Sequence, residues 1–177
     1  MHPLIRQGEA GEDHVGLVTS PSDHRQINQT QQELIMATES NRAGWVTAAV
    51  LAGRLIFAAV FIMAVSFKLT NISGTAGFIA AVGFPLPTLL ACLAAVFELA
   101  LIACFLTGAY FSEAALLAAV YVLFLAFTFH GPSHWAANQN EFGFFVDHFT
   151  FMAGLLFAAA HGPGSVLAMK RGWLSRS

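Results

Sequence analysis

Residues 45–67 read WVTAAVLAGRLIFAAVFIMAVSF, from Trp45 to Phe67, and Lys68 follows. At about 1.5 Å of rise per residue, such a run covers the roughly 30 Å hydrocarbon core of a bilayer. Its one charged residue is Arg54. A charge at mid-membrane costs roughly 2.5–3.5 kcal/mol on the insertion scale, so Arg54 is sustainable only where protein surrounds it. The stretch therefore reads as a membrane span with its charge turned inward, and it sets the class: an all-α integral membrane protein.

Working downstream, KLTNISGTAGFIAAVGFPLP contains an apolar piece, Phe78 to Phe84, that is too short to span. It reads as a brief interfacial or re-entrant helix stopped by Gly83 and Pro85. Residues 86–106 form the second span, ended by Thr107 and Gly108, and residues 111–129 the third. Their short connection makes them antiparallel neighbours. A polar loop, HGPSHWAANQNEF over 130–142, leads to the fourth span at 143–161, which Gly162, Pro163 and Gly164 stop. The expected fold is a four-helix bundle over residues 43–170 with a short basic end at 171–177.

Composition agrees. The chain is 56% hydrophobic and 10% charged, against about 25% charged residues in a soluble domain. Its partner is the lipid bilayer. A formal net charge of −2 supplies no electrostatic footprint for nucleic acid. Upstream, residues 1–42 are rich in Gln, Asn, Ser, Glu and Asp, with too few large apolar side chains to offset ordering entropy, and read as a disordered cytoplasmic tail. They lack the pattern of a signal peptide, so no processing is expected there. Met36 is a second candidate start. Arg42 before the first span, and Lys170, Arg171 and Arg176 after the fourth, place both termini in the cytoplasm.

The charges separate by depth. Counting from Lys68 and from Pro85 as outer ends, Arg54 and Glu98 both lie about 20 Å in. Opposite charges at one depth on consecutive antiparallel helices suggest a buried ion pair. Two readings stand: the pair locks helix packing, or it contacts a quinone-like or anionic ligand and moves protons. Nearer the outer surface fall Lys68, His130, His134, Glu141, Asp147 and His148, with Trp135. These could pass protons; His130, His134 and His148 are weak metal candidates, since Pro132 interrupts the first two. Asp147, Gly154 and His161 recur every seven residues and should share an inward face. Glu113 and His161 read as caps or snorkelling groups at the cytoplasmic end. Cys92 and Cys104, about 18 Å apart along one helix, cannot form a disulfide.

Taken in order, GRLIFAAVFIMAVSFKL, the turn VGFPLP, LAAVFELALIACFLTG, the HGPSHW region and HGPGSVLAM resemble the DoxX family of four-helix bacterial membrane proteins. The likeness runs from about residue 45 to residue 170. It implies a compact bundle in the bacterial inner membrane. Some relatives are named as membrane subunits of thiosulfate:quinone oxidoreductases or terminal quinol oxidases, and others are placed in redox-stress complexes. By position, the family's first-helix Arg and Lys fall on Arg54 and Lys68, its second-helix Glu on Glu98, and its His after the third helix on His130. Where the family commonly continues from G-P-G into Ser-Leu-Asp, this chain has Ser165, Val166, Leu167 and Ala168.

The resulting expectation is a membrane subunit of a quinone-linked oxidoreductase or redox-stress complex, with a redox partner protein or as a homo-oligomer. No haem, flavin or iron–sulfur ligand set is evident, so a bound quinone or another subunit must carry the electrons. The candidate catalytic residues are Arg54, Glu98, Lys68, His130, Asp147 and His148, with Arg54 and Glu98 as quinone contacts. The rival is a non-enzymatic scaffold, or a small transporter or receptor with a polar bundle interior.

Overall fold

The computed structural model describes residues 21–169 and 172–174. Six helices follow one another among them: α1 (Pro21–Thr70), α2 (Ile72–Ala81), α3 (Pro87–Thr107), α4 (Phe111–His130), α5 (Pro132–Trp135) and α6 (Asn140–His161). The chain divides into two compact units, residues 1–42 and 43–177.

In the first unit, the part from Pro21 to Arg42 is helical, which corrects the expected disordered tail over that stretch; residues 1–20 of that tail lie outside the described residues. The polar composition forbids a core, but it does not forbid a helix. From Ser22 to Ala43 there is no Gly or Pro, and Gln, Glu, Leu, Met and Ala are good helix formers. Ile27, Leu34, Ile35 and Met36 are all exposed on it.

Among the described residues, four helices are long and apolar enough to cross a membrane. The protein is an integral membrane protein. The expected second and third spans match α3 and α4 to within a residue or two at each end. The short helix falls earlier than expected, at α2, because Asn71 caps it: the Asn71 side chain accepts from the Gly74 N–H at 2.9 Å. The loop at 130–142 holds the one-turn helix α5, and α6 begins at Asn140, ahead of the expected Gly143.

Packing follows from side-chain size. One face of α4 presents Ala114, Ala115, Ala118, Ala119 and Ala126, all buried, so α6 can approach closely along it. Phe57 and Phe61 of α1 each bring their rings to 5.8 Å from Phe105 of α3, and both also meet Phe151 of α6. Outward faces are as apolar as the core, with Leu55, Ile62, Leu93, Val96 and Val120 exposed, as lipid-facing surfaces should be. The inward face of α6 is carried by Leu155, Phe151, Met152 and Ala158. This corrects the expected Asp147–Gly154–His161 face: Asp147 and His161 are exposed, and only Gly154 sits against Phe57. A seven-residue repeat leaves several helix faces equivalent until the positions of the neighbours are known.

Gly108 ends α3 in the left-handed conformation at φ 72°, its N–H donating to the Cys104 carbonyl at 2.8 Å. A Cβ there would stand 3.0 Å from Ala168 Cα and 3.2 Å from an Arg54 nitrogen. Gly108→Ala is expected to lower stability by about 1–2 kcal/mol from backbone strain alone, with more from the displaced segment. Thermal unfolding in detergent checks this, and an unchanged midpoint would contradict the tight approach.

Candidate functional site

Arg54 is 2% exposed, yet its partner is not Glu98. Its Nε donates to the carbonyl of Phe105 at 3.2 Å, and its two terminal nitrogens donate to Leu106 at 2.9 Å, Pro163 at 3.1 Å, Val166 at 2.8 Å and Leu167 at 3.0 Å. A guanidinium has five N–H groups, and every one is taken. The acceptors are carbonyls at the end of α3, which no further helical turn satisfies, and those of the segment after α6. Met169 N–H adds a bond to the Thr107 carbonyl at 2.8 Å. Arg54 thus ties the chain after α6 to the α3 end. The face of Phe111 lies 6.0 Å from the guanidinium carbon.

Glu98, 1% exposed, is paired instead with Lys68: Nζ donates to Oε1 at 2.8 Å. The expected Arg54–Glu98 pair is therefore corrected to Lys68–Glu98. Two physical reasons account for it. The depth count treated Lys68 and Pro85 as level, although α2 intervenes between them and α3 starts only at Pro87. Helical side chains also lean toward their own N-terminus, so on antiparallel helices Lys68 and Glu98 reach toward each other while Arg54 reaches away.

A third group completes this site. Tyr121 of α4 donates its hydroxyl to the same Glu98 Oε1 at 2.9 Å. Its ring meets Phe97 edge-on at 5.1 Å. Glu98 Oε2 is buried with no hydrogen-bond partner among the described residues. Reading charges alone missed Tyr121, but a signal existed: Glu98 and Tyr121 lie almost equally far in sequence from Ala109 at the α3–α4 turn, so an antiparallel hairpin sets them side by side.

Lys68 and Tyr121 stand in the wall of a cavity of about 630 Å³ that is otherwise lined mainly by apolar side chains, among them Phe78, Ile79, Leu93 and Phe124. Phe78, Leu93 and Phe124 are exposed, so the cavity opens sideways where lipid would lie. His130 also lines it. His130 Nδ1 meets Glu141 Oε2 at 2.6 Å, and its ring centroid is 4.9 Å from that of His148. Since a carboxylate only accepts, His130 carries its proton on Nδ1 there. Trp135 Nε1 donates to the His130 carbonyl at 2.9 Å and fixes the end of α4. His148 Nδ1 donates to the Phe144 carbonyl at 2.7 Å.

The expected outer cluster is thus divided. His130, Glu141 and His148 come together, Lys68 belongs to the Glu98 site, and Asp147 is exposed. Among the described residues no three His, Cys, Asp or Glu side chains are placed to hold a metal ion. Glu113, in the first turn of α4, accepts the backbone N–H groups of Trp173 and Leu174, the second at 2.9 Å, and so holds the chain after α6 at another point.

Residues 49–131 match the sequence model of the DoxX family. No curated protein and no solved structure gives a match. The matched stretch carries Arg54, Lys68, Glu98, Tyr121 and His130, while Glu141, His148 and the segment held by Arg54 lie beyond it. Four membrane-length apolar helices among the described residues, with Lys68 and His130 of the matched stretch at a lateral cavity, make this chain a membrane protein similar to the DoxX family over residues 49–131.

Proposed function

We propose that the protein takes an amphipathic, quinone-type ligand from the bilayer into the cavity beside Lys68 and Tyr121, and does so as a membrane subunit working with a redox partner. One observation carries this reading: a lateral cavity of about 630 Å³, apolar except for Lys68, Thr75, Tyr121 and His130. That volume lies in the range of roughly 300–1,000 Å³ usual for small-molecule sites, and few polar groups in an apolar wall suit a greasy ring bearing oxygens. Such a ligand would supply the electron chemistry that no side chain here offers. Lys68 and Tyr121 would hold its polar end, and His130, tied to Glu141 and close to His148, would exchange protons with the surface.

In this scheme the membrane is a bacterial inner membrane with both termini cytoplasmic. The basic residues Arg42, Lys170, Arg171 and Arg176 support that orientation. Arg54 is read as structural, since its donors are spent on carbonyls. The transporter or receptor alternative loses support for the same reason: its central polar layer was to be Arg54 with Glu98.

Quinone should remain with the protein through mild detergent extraction, at close to one molecule per chain by solvent extraction and chromatography. Ala94, in the cavity wall, is small, and Ala94→Phe should fill the space and reduce retained quinone about tenfold or more, given the usual cost of overpacking of about 1–3 kcal/mol. Wild-type protein that carries no quinone and binds none on addition would overturn the reading.

A further inference from the structure

The polar wall of the cavity distinguishes two states of a ligand. Lys68 and Tyr121 line the cavity, whereas Glu98 does not; it stands behind them and bonds to both. A carboxylate paired with an ammonium accepts and does not donate, so the Tyr121 O–H is committed to Glu98. What Tyr121 offers a ligand is a lone pair on its hydroxyl oxygen. Lys68 gives one N–H to Glu98 and a second, at the 3.5 Å limit, to the Ala64 carbonyl, which leaves a third. A ligand therefore meets an acceptor beside a donor.

A ring carbonyl brings acceptors only and can engage Lys68 alone. A ring hydroxyl can donate to Tyr121 and accept from Lys68 with one oxygen. Resting on the reading of the cavity as a quinone-type site, we propose that it recognises the reduced, dihydroxy form of its ligand and that Tyr121 passes one proton from that hydroxyl to Glu98. The ligand O–H bond breaks as Tyr121 takes the proton, and Tyr121's own proton moves to the Glu98 carboxylate. Glu98 becomes a neutral acid, and the negative charge moves to the ligand oxygen against the Lys68 ammonium. Net charge is unchanged and no oxidant is consumed. The proton arrives at Oε1 of Glu98, the oxygen to which the Tyr121 hydroxyl already donates at 2.9 Å. Tyr121 and Lys68 are then the groups that touch the ligand, and Glu98 acts through them as a positioning residue and proton store.

The test uses the full chain in detergent with three ring probes sharing one decyl tail: the hydroquinone, the quinone and the hydroquinone dimethyl ether. Equilibrium dialysis should give the hydroquinone about tenfold tighter binding than either of the others, the worth of one well-made buried hydrogen bond. Tyr121→Phe should bring the hydroquinone-to-quinone ratio close to one with quinone affinity kept. A fourth probe, a decyl nitrophenol, should develop its visible anion band on binding, at a pH where it stays neutral in detergent alone, and Glu98→Gln should abolish the band. Should Glu98→Gln not fold, the loss of the band in Tyr121→Phe decides. Equal binding of hydroquinone and quinone, or of hydroquinone and ether, overturns the proposal while leaving the quinone site standing, as does a ratio that survives Tyr121→Phe or a nitrophenol that stays neutral. Binding of none of the probes overturns both readings.

Discussion

Lys68→Met is expected to destabilise the protein by about 3–5 kcal/mol, and adding Glu98→Leu is expected to recover most of that loss. The single change strands a carboxylate that is 1% exposed, with Tyr121 as its remaining donor. The double change removes both charges and leaves apolar groups of similar volume, which membrane-buried helices tolerate well. Unfolding in detergent, followed by circular dichroism for wild type, both single variants and the double, closes the cycle. Equal stability in all four would show that the pair contributes nothing. The double variant also separates structure from function. If it is as stable as wild type but no longer holds quinone, the pair serves the ligand; if it keeps quinone fully, the pair only fixes the helices.

Arg54 is expected to be the most sensitive single position. Lys in its place has three N–H groups against five carbonyl acceptors, without the planar fork that spreads donors across two chain segments. Each carbonyl left buried and unpaired costs about 1–3 kcal/mol. Arg54→Lys should therefore lose several kcal/mol, and Arg54→Met more. The loss has a location: the segment 163–167 should come free of the α3 end. Limited proteolysis should then cut after α6 well before any span is attacked, whereas wild type should resist there. A variant that unfolds globally, with no early cut in that segment, would contradict the tie between Arg54 and the chain end.

Much of this was readable in the residues. Long apolar runs placed α3 and α4 closely, because a span in lipid must satisfy its own backbone and so must be helical wherever it is apolar. The cost of burying charge singled out Arg54, Lys68 and Glu98; Arg54 and Glu98 are buried and Lys68 pairs with Glu98. Their partners were not readable. Which charge meets which depends on helix offsets, and α2 altered the offset between Lys68 and Glu98 by adding chain outside the spans. Arg54's acceptors are backbone carbonyls, which carry no mark in a sequence. Tyr121 was passed over because a tyrosine in a span usually needs no explanation, although its symmetry with Glu98 about the α3–α4 turn pointed to it. The helix at Pro21–Arg42 was hidden by an argument about cores, when helix propensity alone was sufficient.

The attachment of the 163–167 segment to Arg54 bears on how the molecule is assembled. Arg54 is translated in the first span, but three of its five acceptors, the carbonyls of Pro163, Val166 and Leu167, are made only after the fourth. Until then the membrane holds a cation with incomplete ligation, whose remaining N–H groups need water or lipid phosphate as acceptors. The bundle is thus closed by its own late-made chain, and a chain that ends before Pro163 leaves Arg54 without three of its five acceptors.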